Sequence, residues 1–357
     1  MEGYNKKVIM SYWTICRMKT TKKIYVKVSI IFLLGGILLF SSCEKEENQK
    51  IEANRKTLFM YLPWSSNLTN YFYNNISDLE KCITKIGLNN EKVIVFISTG
   101  STEAMMFEIV SSHGRCKREI LKKYKSPPFT TIDGITAILN DVKAFAPASV
   151  YTMIIGCHGM GWLPVYEMKV RSAPHMKMHW EYQGVPLTRY FGGLTAEYQT
   201  DIKSLASGIA NAGMKMEYIL FDDCYMSSIE VAYELKDVTK YLIGSTSEMM
   251  AYGMPYAAIG EYLLGNPDYQ SGCEEFYNFY STYEIMPCGT LAVTDCSELE
   301  NMAAIIKSIN SKYSFDKSLR GTIQRLDGYT PVIFYDFADY ITSLCNLSLI
   351  HISEPTR

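Results

Sequence analysis

Two apolar runs, each ending on one reactive side chain, constrain this chain more than any other feature. Tyr151-Thr152-Met153-Ile154-Ile155-Gly156-Cys157-His158-Gly159 ends in a histidine, and Met216-Glu217-Tyr218-Ile219-Leu220-Phe221-Asp222-Asp223-Cys224 ends in a cysteine. Runs of this kind, apolar on both sides, are the mark of strands buried on both faces of a sheet. In an open α/β sheet the loops that leave the strands' carboxyl ends are where ligand sites form. A thiol and an imidazole delivered to that edge suggest a cysteine nucleophile working with a histidine base.

The rest of the composition sets bounds. With 357 residues, 48% hydrophobic and 20% charged, the chain has ample material for one large core or two small ones. A formal net charge of -2 excludes the strongly basic surface that nucleic acid or an anionic membrane would require. The 10 cysteines are scattered with no CxxC pair, so they form neither a disulfide framework nor a zinc knuckle. No metal site and no cofactor is expected, and nothing in the pattern calls for a dimer, so a monomer is expected.

The N-terminus has the layout of an export signal. Lys19, Lys22, Lys23 and Lys27 precede the apolar run from Val28 to Phe40, and Ser41-Ser42-Cys43 follows. The run is short for a spanning helix of roughly 20 residues. Ser41-Ser42-Cys43 resembles the lipobox of bacterial lipoproteins, which implies a signal over residues 1 to 42, a lipid on Cys43, and Met18 as the natural start. The acidic cluster Glu44, Glu46 and Glu47 is similar to the surface-export signal of Bacteroidetes lipoproteins. Residues 43 to 55 then form a lipidated, polar tether, and the expected location is the outer membrane, exposed at the surface. At the other end, residues 347 to 357 resemble a translated sequencing adapter, so the expected domain covers residues 56 to 346 and continues beyond this chain.

Along that domain, strands alternate with helical segments. Strands are expected at Thr57–Leu62, Val93–Ile97 and Met105–Val110, the last in a hairpin with residues 117 to 124. The histidine and cysteine runs supply two more, and Tyr241–Ser245 and Thr290–Thr294 complete the set. Tyr71, Ile76, Leu79 and Ile83 at helical spacing predict a helix over 70 to 85, Asp133 opens another, and others are expected near 200 to 212 and from Ser227 to Leu235. This is an α/β fold with a mostly parallel central sheet and helices on both faces. From Trp162 to about residue 195 no periodicity holds, which marks a long irregular connection.

The residues around the two chemical groups add a specific resemblance. His158-Gly159-Met160-Gly161-Trp162 and Phe221-Asp222-Asp223-Cys224-Tyr225-Met226 are similar to the histidine and cysteine motifs of clostripain-family cysteine peptidases, relatives of the caspases, legumains and gingipains. The opening strand with Asn67-Leu68, the Gly244-Ser245-Thr246-Ser247-Glu248 run with Pro255-Tyr256, and Phe334-Tyr335-Asp336-Phe337-Ala338 support it over residues 57 to 346. The resemblance implies a caspase-like fold and an endopeptidase cleaving after Arg or Lys by a Cys224/His158 dyad. It also implies an oxyanion hole from the Gly159 and Cys224 amides, substrate contacts from Asp222, Trp162 and Ser247, and self-cleavage at Lys169, Arg171 or Lys177. Calcium dependence is implied by resemblance alone, since no EF-hand loop is present.

The chemistry also stands by itself. A cysteine of pKa about 8.5 needs a cation, a donor or a helix N-terminus to become a thiolate, and Cys224 is expected where strand meets helix, at an exposed polar turn. Cys157, one residue before His158, is expected in the core on the opposite face. Asp222 suits a pocket acid for a guanidinium or ammonium, or a structural acid capping the next helix. Asp223 stands where a small residue is more common, and Glu248–Gly253 departs from the family's acidic, glycine-rich pattern. An alternative is a surface lipoprotein that uses the fold as a protein-binding module.

Overall fold

The computed structural model describes residues 54–65, 67–163, 165, 192–329 and 332–345. The signal, Cys43, the tether before residue 54, the self-cleavage candidates Lys169, Arg171 and Lys177, and the adapter-like tail lie outside the described residues.

Among the described residues an eight-stranded sheet runs in the order β4-β3-β2-β1-β5-β6-β7-β8. Its parallel centre is β2 (Glu91–Ser98), β1 (Asn54–Leu62), β5 (Ala148–Ile155), β6 (Met216–Phe221) and β7 (Thr239–Gly244). The hairpin β3 (Glu103–Ser112) and β4 (Arg115–Lys125) closes one edge. At the other edge β8 (Ala292–Asp295) runs antiparallel to β7. It starts two residues later than expected, because the Thr290 hydroxyl is engaged with Ser245 and Ser247 in the loop before it.

Because side chains alternate along a strand, β1 feeds both cores. Leu58, Met60 and Leu62 face one, and Phe59 and Tyr61 face the other. The first core is covered by α1 (Thr69–Ile86), α5 (Tyr256–Leu263) and α6 (Tyr269–Ser281). The second is covered by α2 (Ile132–Phe145), α3 (Ile202–Asn211) and α4 (Ile229–Leu235). α7 (Leu299–Lys312) and α8 (Phe337–Cys345) follow.

Local chemistry explains these helices. In α1 the buried Phe72, Ile76, Leu79 and Ile83 recur at three- and four-residue intervals, which makes one apolar stripe. The expected Tyr71 lies at the stripe's margin and Phe72 occupies its centre. α2 begins after Thr131, whose hydroxyl accepts the Gly134 N–H at 3.1 Å. The parallel crossovers leave the loops after β1, β5, β6 and β7 side by side at one edge of the sheet.

Candidate active site

His158 and Cys224 each follow one of two neighbouring strands. β5 and β6 are paired in register, Ile155 beside Phe221, and the Asp222 N–H continues the ladder to the Ile155 carbonyl at 2.8 Å. Three residues past β5 the chain reaches His158, whose N–H bonds the Gly192 carbonyl at 3.1 Å. Three residues past β6 it reaches Cys224.

The two loops then interlock. A Cβ built on Gly159 would stand 2.3 Å from the Cys224 carbonyl oxygen and 2.9 Å from Asp223 Cβ, so only glycine lets the histidine loop lie against the cysteine loop. Asp223 adds a second tie. Its Oδ1 accepts the Cys157 N–H at 2.7 Å and its Oδ2 the Cys157 thiol at 3.4 Å. Cys157 is a core residue, in the cluster on one side of the sheet, and Cys224 belongs to the cluster on the other.

The turn after the cysteine is buried, not exposed. Asp222, Asp223, Tyr225 and Met226 are all inaccessible, and Tyr225 takes a positive φ of 59°. The Tyr225 ring is held by stacking on Phe334 at 4.5 Å and 6°, and its N–H bonds the Ser247 carbonyl at 3.0 Å. Burial, reinforced by Glu248, pushes the Tyr225 phenol far above its ordinary pKa. The intervening turn postpones α4 to Ile229, after a Ser228 cap. The expected helix N-terminus is thus five positions beyond Cys224, outside the first turn where a helix dipole acts. What faces the sulfur is Met249: its N–H donates to Sγ at 3.1 Å, and its carbonyl lies 3.5 Å away as an acceptor.

Both chemical groups are covered, with Cys224 0% and His158 1% accessible. The segment that meets the sulfur, through Met249, is residues 249–254 after β7. It is fastened by Asn75 Nδ2 to the Tyr252 carbonyl at 2.7 Å, Tyr252 OH to Asp78 at 2.7 Å and Tyr280 OH to the Gly253 carbonyl at 2.6 Å. His158 Nε2 bonds Asn67 Oδ1 at 2.8 Å. Asn67 comes from the β1–α1 loop, and sequence reading attached no role to it. Its 91-position separation from His158 hides the pairing from any local pattern.

The remaining candidates divide. Asp222 is buried, its Oδ1 accepting the Met254 N–H at 2.8 Å and its Oδ2 the Tyr256 hydroxyl at 2.9 Å. These bonds tie β6 to the 249–254 segment and α5, and the cap of α4 comes from Ser228. Ser247 bonds the Thr290 hydroxyl at 2.9 Å. Trp162, two residues past Met160 in the histidine loop, is 46% exposed and so is not a core residue. Among the described residues no group of His, Cys, Asp or Glu is arranged to hold a metal ion.

Comparison with known proteins supplies a family. The clostripain family model matches residues 60–350. An X-ray structure of a secreted C11 cysteine protease from Bacteroides thetaiotaomicron, "iotapain", is 60% identical, with 82% of this chain and 81% of that one covered and a TM-score of 0.75. An inactive zymogen C11 protease from Parabacteroides distasonis is 25% identical over 81% of this chain and 77% of its own, with a TM-score of 0.66. A second secreted C11 cysteine protease from Bacteroides thetaiotaomicron, solved with an irreversible peptide inhibitor, shares the fold at 20% identity and a TM-score of 0.63, with 81% of this chain and 78% of that one covered. No curated protein sequence matches.

Proposed function

Because the chain belongs to the clostripain family and is a cysteine endopeptidase of caspase-like α/β fold, we propose that it cleaves peptide bonds after Arg or Lys, with Cys224 as nucleophile and His158 as the proton carrier. The observation that carries this reading is the double tie between the loops bearing the two groups, Gly159 against Cys224 and Asp223 on Cys157. In the reaction the Cys224 sulfur gives its proton to His158 and attacks the carbonyl carbon, forming the C–S bond and an oxyanion. The Gly159 and Cys224 amides stabilise that oxyanion. Collapse breaks the C–N bond as His158 protonates the departing amine, and water, deprotonated by His158, then releases the acid from the thioester.

Asp222 supplies the negative charge for a basic side chain, and its bond to the Tyr256 hydroxyl on α5 orients the carboxylate, while its bond to the Met254 N–H is given up as the segment withdraws. Trp162 and Ser247 flank the peptide. The covered site corresponds to a latent form: Met249 lies against the sulfur through both its N–H and its carbonyl, so substrate requires the 249–254 segment to withdraw. Cleavage at Lys169, Arg171 or Lys177 is the proposed trigger. Cys43 carries a lipid that tethers a monomeric enzyme to the outer membrane.

The test is turnover of a peptide series differing only at P1 (Arg, Lys, Ala, Asp) by the wild type, C224A, H158A and D222N. Turnover of the Arg and Lys peptides alone, lost in C224A and H158A and weakened in D222N, is the expected result. Equal turnover of all four peptides would overturn the basic preference, and turnover surviving in C224A would overturn the nucleophile.

A further inference from the structure

His158 has a side-chain partner in the loop after β1. We propose that Asn67 is a positioning residue that sets the tautomer and orientation of His158, an inference that rests on the dyad reading above. Its Oδ1 lies 2.8 Å from His158 Nε2. An amide oxygen only accepts, so the ring nitrogen it faces carries the proton in both the neutral and the charged imidazole. The proton that shuttles between the cysteine sulfur and the departing amine is therefore on Nδ1, and Nε2–H stays committed to Asn67.

The placement follows from the fold. β1 and β5 are adjacent parallel strands with Tyr61 beside Ile155, and the Gly156 N–H bonds the Tyr61 carbonyl at 3.1 Å. The loops that leave these strands run side by side. After β1, Asn67 turns back with its N–H on the Ser65 carbonyl at 2.8 Å. An asparagine at the entry to a helix commonly caps it. Here Leu68 occupies the cap position of α1 with no side-chain bond, and the asparagine amide is directed at the imidazole instead. Asn67 is exposed where His158 is buried, so the acceptor reaches in from the rim of the site.

An acceptor on Nε2–H stabilises imidazolium relative to neutral imidazole. Removing it favours loss of the proton, and replacing it with a carboxylate favours retention. The experiment measures kcat, KM and the pH dependence of kcat/KM on a fluorogenic P1-Arg peptide for the wild type, N67A, N67D and H158A, with thermal unfolding to confirm that each is folded. In N67A, kcat is expected to fall between about ten- and a hundredfold with KM little changed, less than the roughly 10²–10⁴-fold that general acid–base catalysis contributes, because His158 itself remains. Its alkaline limb should move to lower pH, whereas N67D should recover much of kcat and move that limb to higher pH. Wild-type kcat and an unmoved limb in both variants, beside an inert H158A, would overturn the role of Asn67 and leave the dyad intact. Turnover persisting in H158A would overturn the dyad and this role together.

Discussion

The Asp223 carboxylate grips Cys157 at two points, the backbone N–H at 2.7 Å and the thiol at 3.4 Å. It thereby fixes the residue before His158 to the residue before Cys224. Both partners are wholly buried, so the bond is formed where an unpaired group would be expensive. Asp223→Ala should lower stability by about 1–3 kcal/mol, the cost of a stranded buried donor, and should depress turnover more than Cys157→Ala, which leaves the backbone N–H in place. Urea unfolding of the two variants and their double mutant checks this; additive losses would show that the two residues do not act together.

Gly159→Ala tests the second tie. The added methyl would meet the Cys224 carbonyl at 2.3 Å, and a backbone atom cannot swing aside as a flexible side chain does. Spreading the loops should cost on the order of 1–3 kcal/mol and should abolish turnover even in protein that remains folded. Near-normal kcat/KM in this variant would show that the close approach is dispensable.

The strands bearing His158 and Cys224 were legible because a strand buried on both faces has to be apolar along its length, and that pattern is local. The hairpin of β3 and β4 and the stripe on α1 could be read for the same reason. What could not be read depends on partners far away in the chain. Asp223 meets Cys157 across 66 positions and Asn67 meets His158 across 91, so no local pattern shows either pairing. The delayed start of α4 followed from Tyr225 adopting a left-handed conformation supported by Phe334, a contact across more than a hundred residues. The four residues of β8 carry no periodicity that tells antiparallel from parallel pairing.

Trp162 separates packing from recognition. With nearly half its surface exposed, Trp162→Ala should change stability by no more than about 0.5 kcal/mol. If the indole flanks the peptide, KM for P1-Arg substrates should rise while kcat holds. Thermal unfolding and steady-state kinetics on one preparation measure both, and an unchanged KM would remove Trp162 from the binding surface.

Lys56 gives a pH dependence remote from the chemistry. Its Nζ donates to the Leu263 carbonyl at 2.6 Å and the Gly265 carbonyl at 3.2 Å. Burial lowers its pKa from 10.5 to about 8, with Glu91 opposing the shift. Below pH 8 the amine is charged in both folded and unfolded chains, and folding bears the cost of burying the charge. Between about 8 and 10.5 the folded chain has released the proton and the unfolded chain has not, so this contribution to stability rises with pH. The urea midpoint of the wild type should therefore gain on that of Lys56→Met as pH is raised through this window. A constant or shrinking difference would contradict the assignment.

The most direct test is covalent. In a preparation that hydrolyses a P1-Arg peptide, the same peptide bearing a thiol-reactive group should place one adduct on Cys224, located by mass spectrometry, with activity lost in proportion to the modified fraction. C224A should neither react nor turn over, and H158A should react far more slowly. An adduct on a different cysteine, or hydrolysis that continues with Cys224 fully modified, would contradict the account.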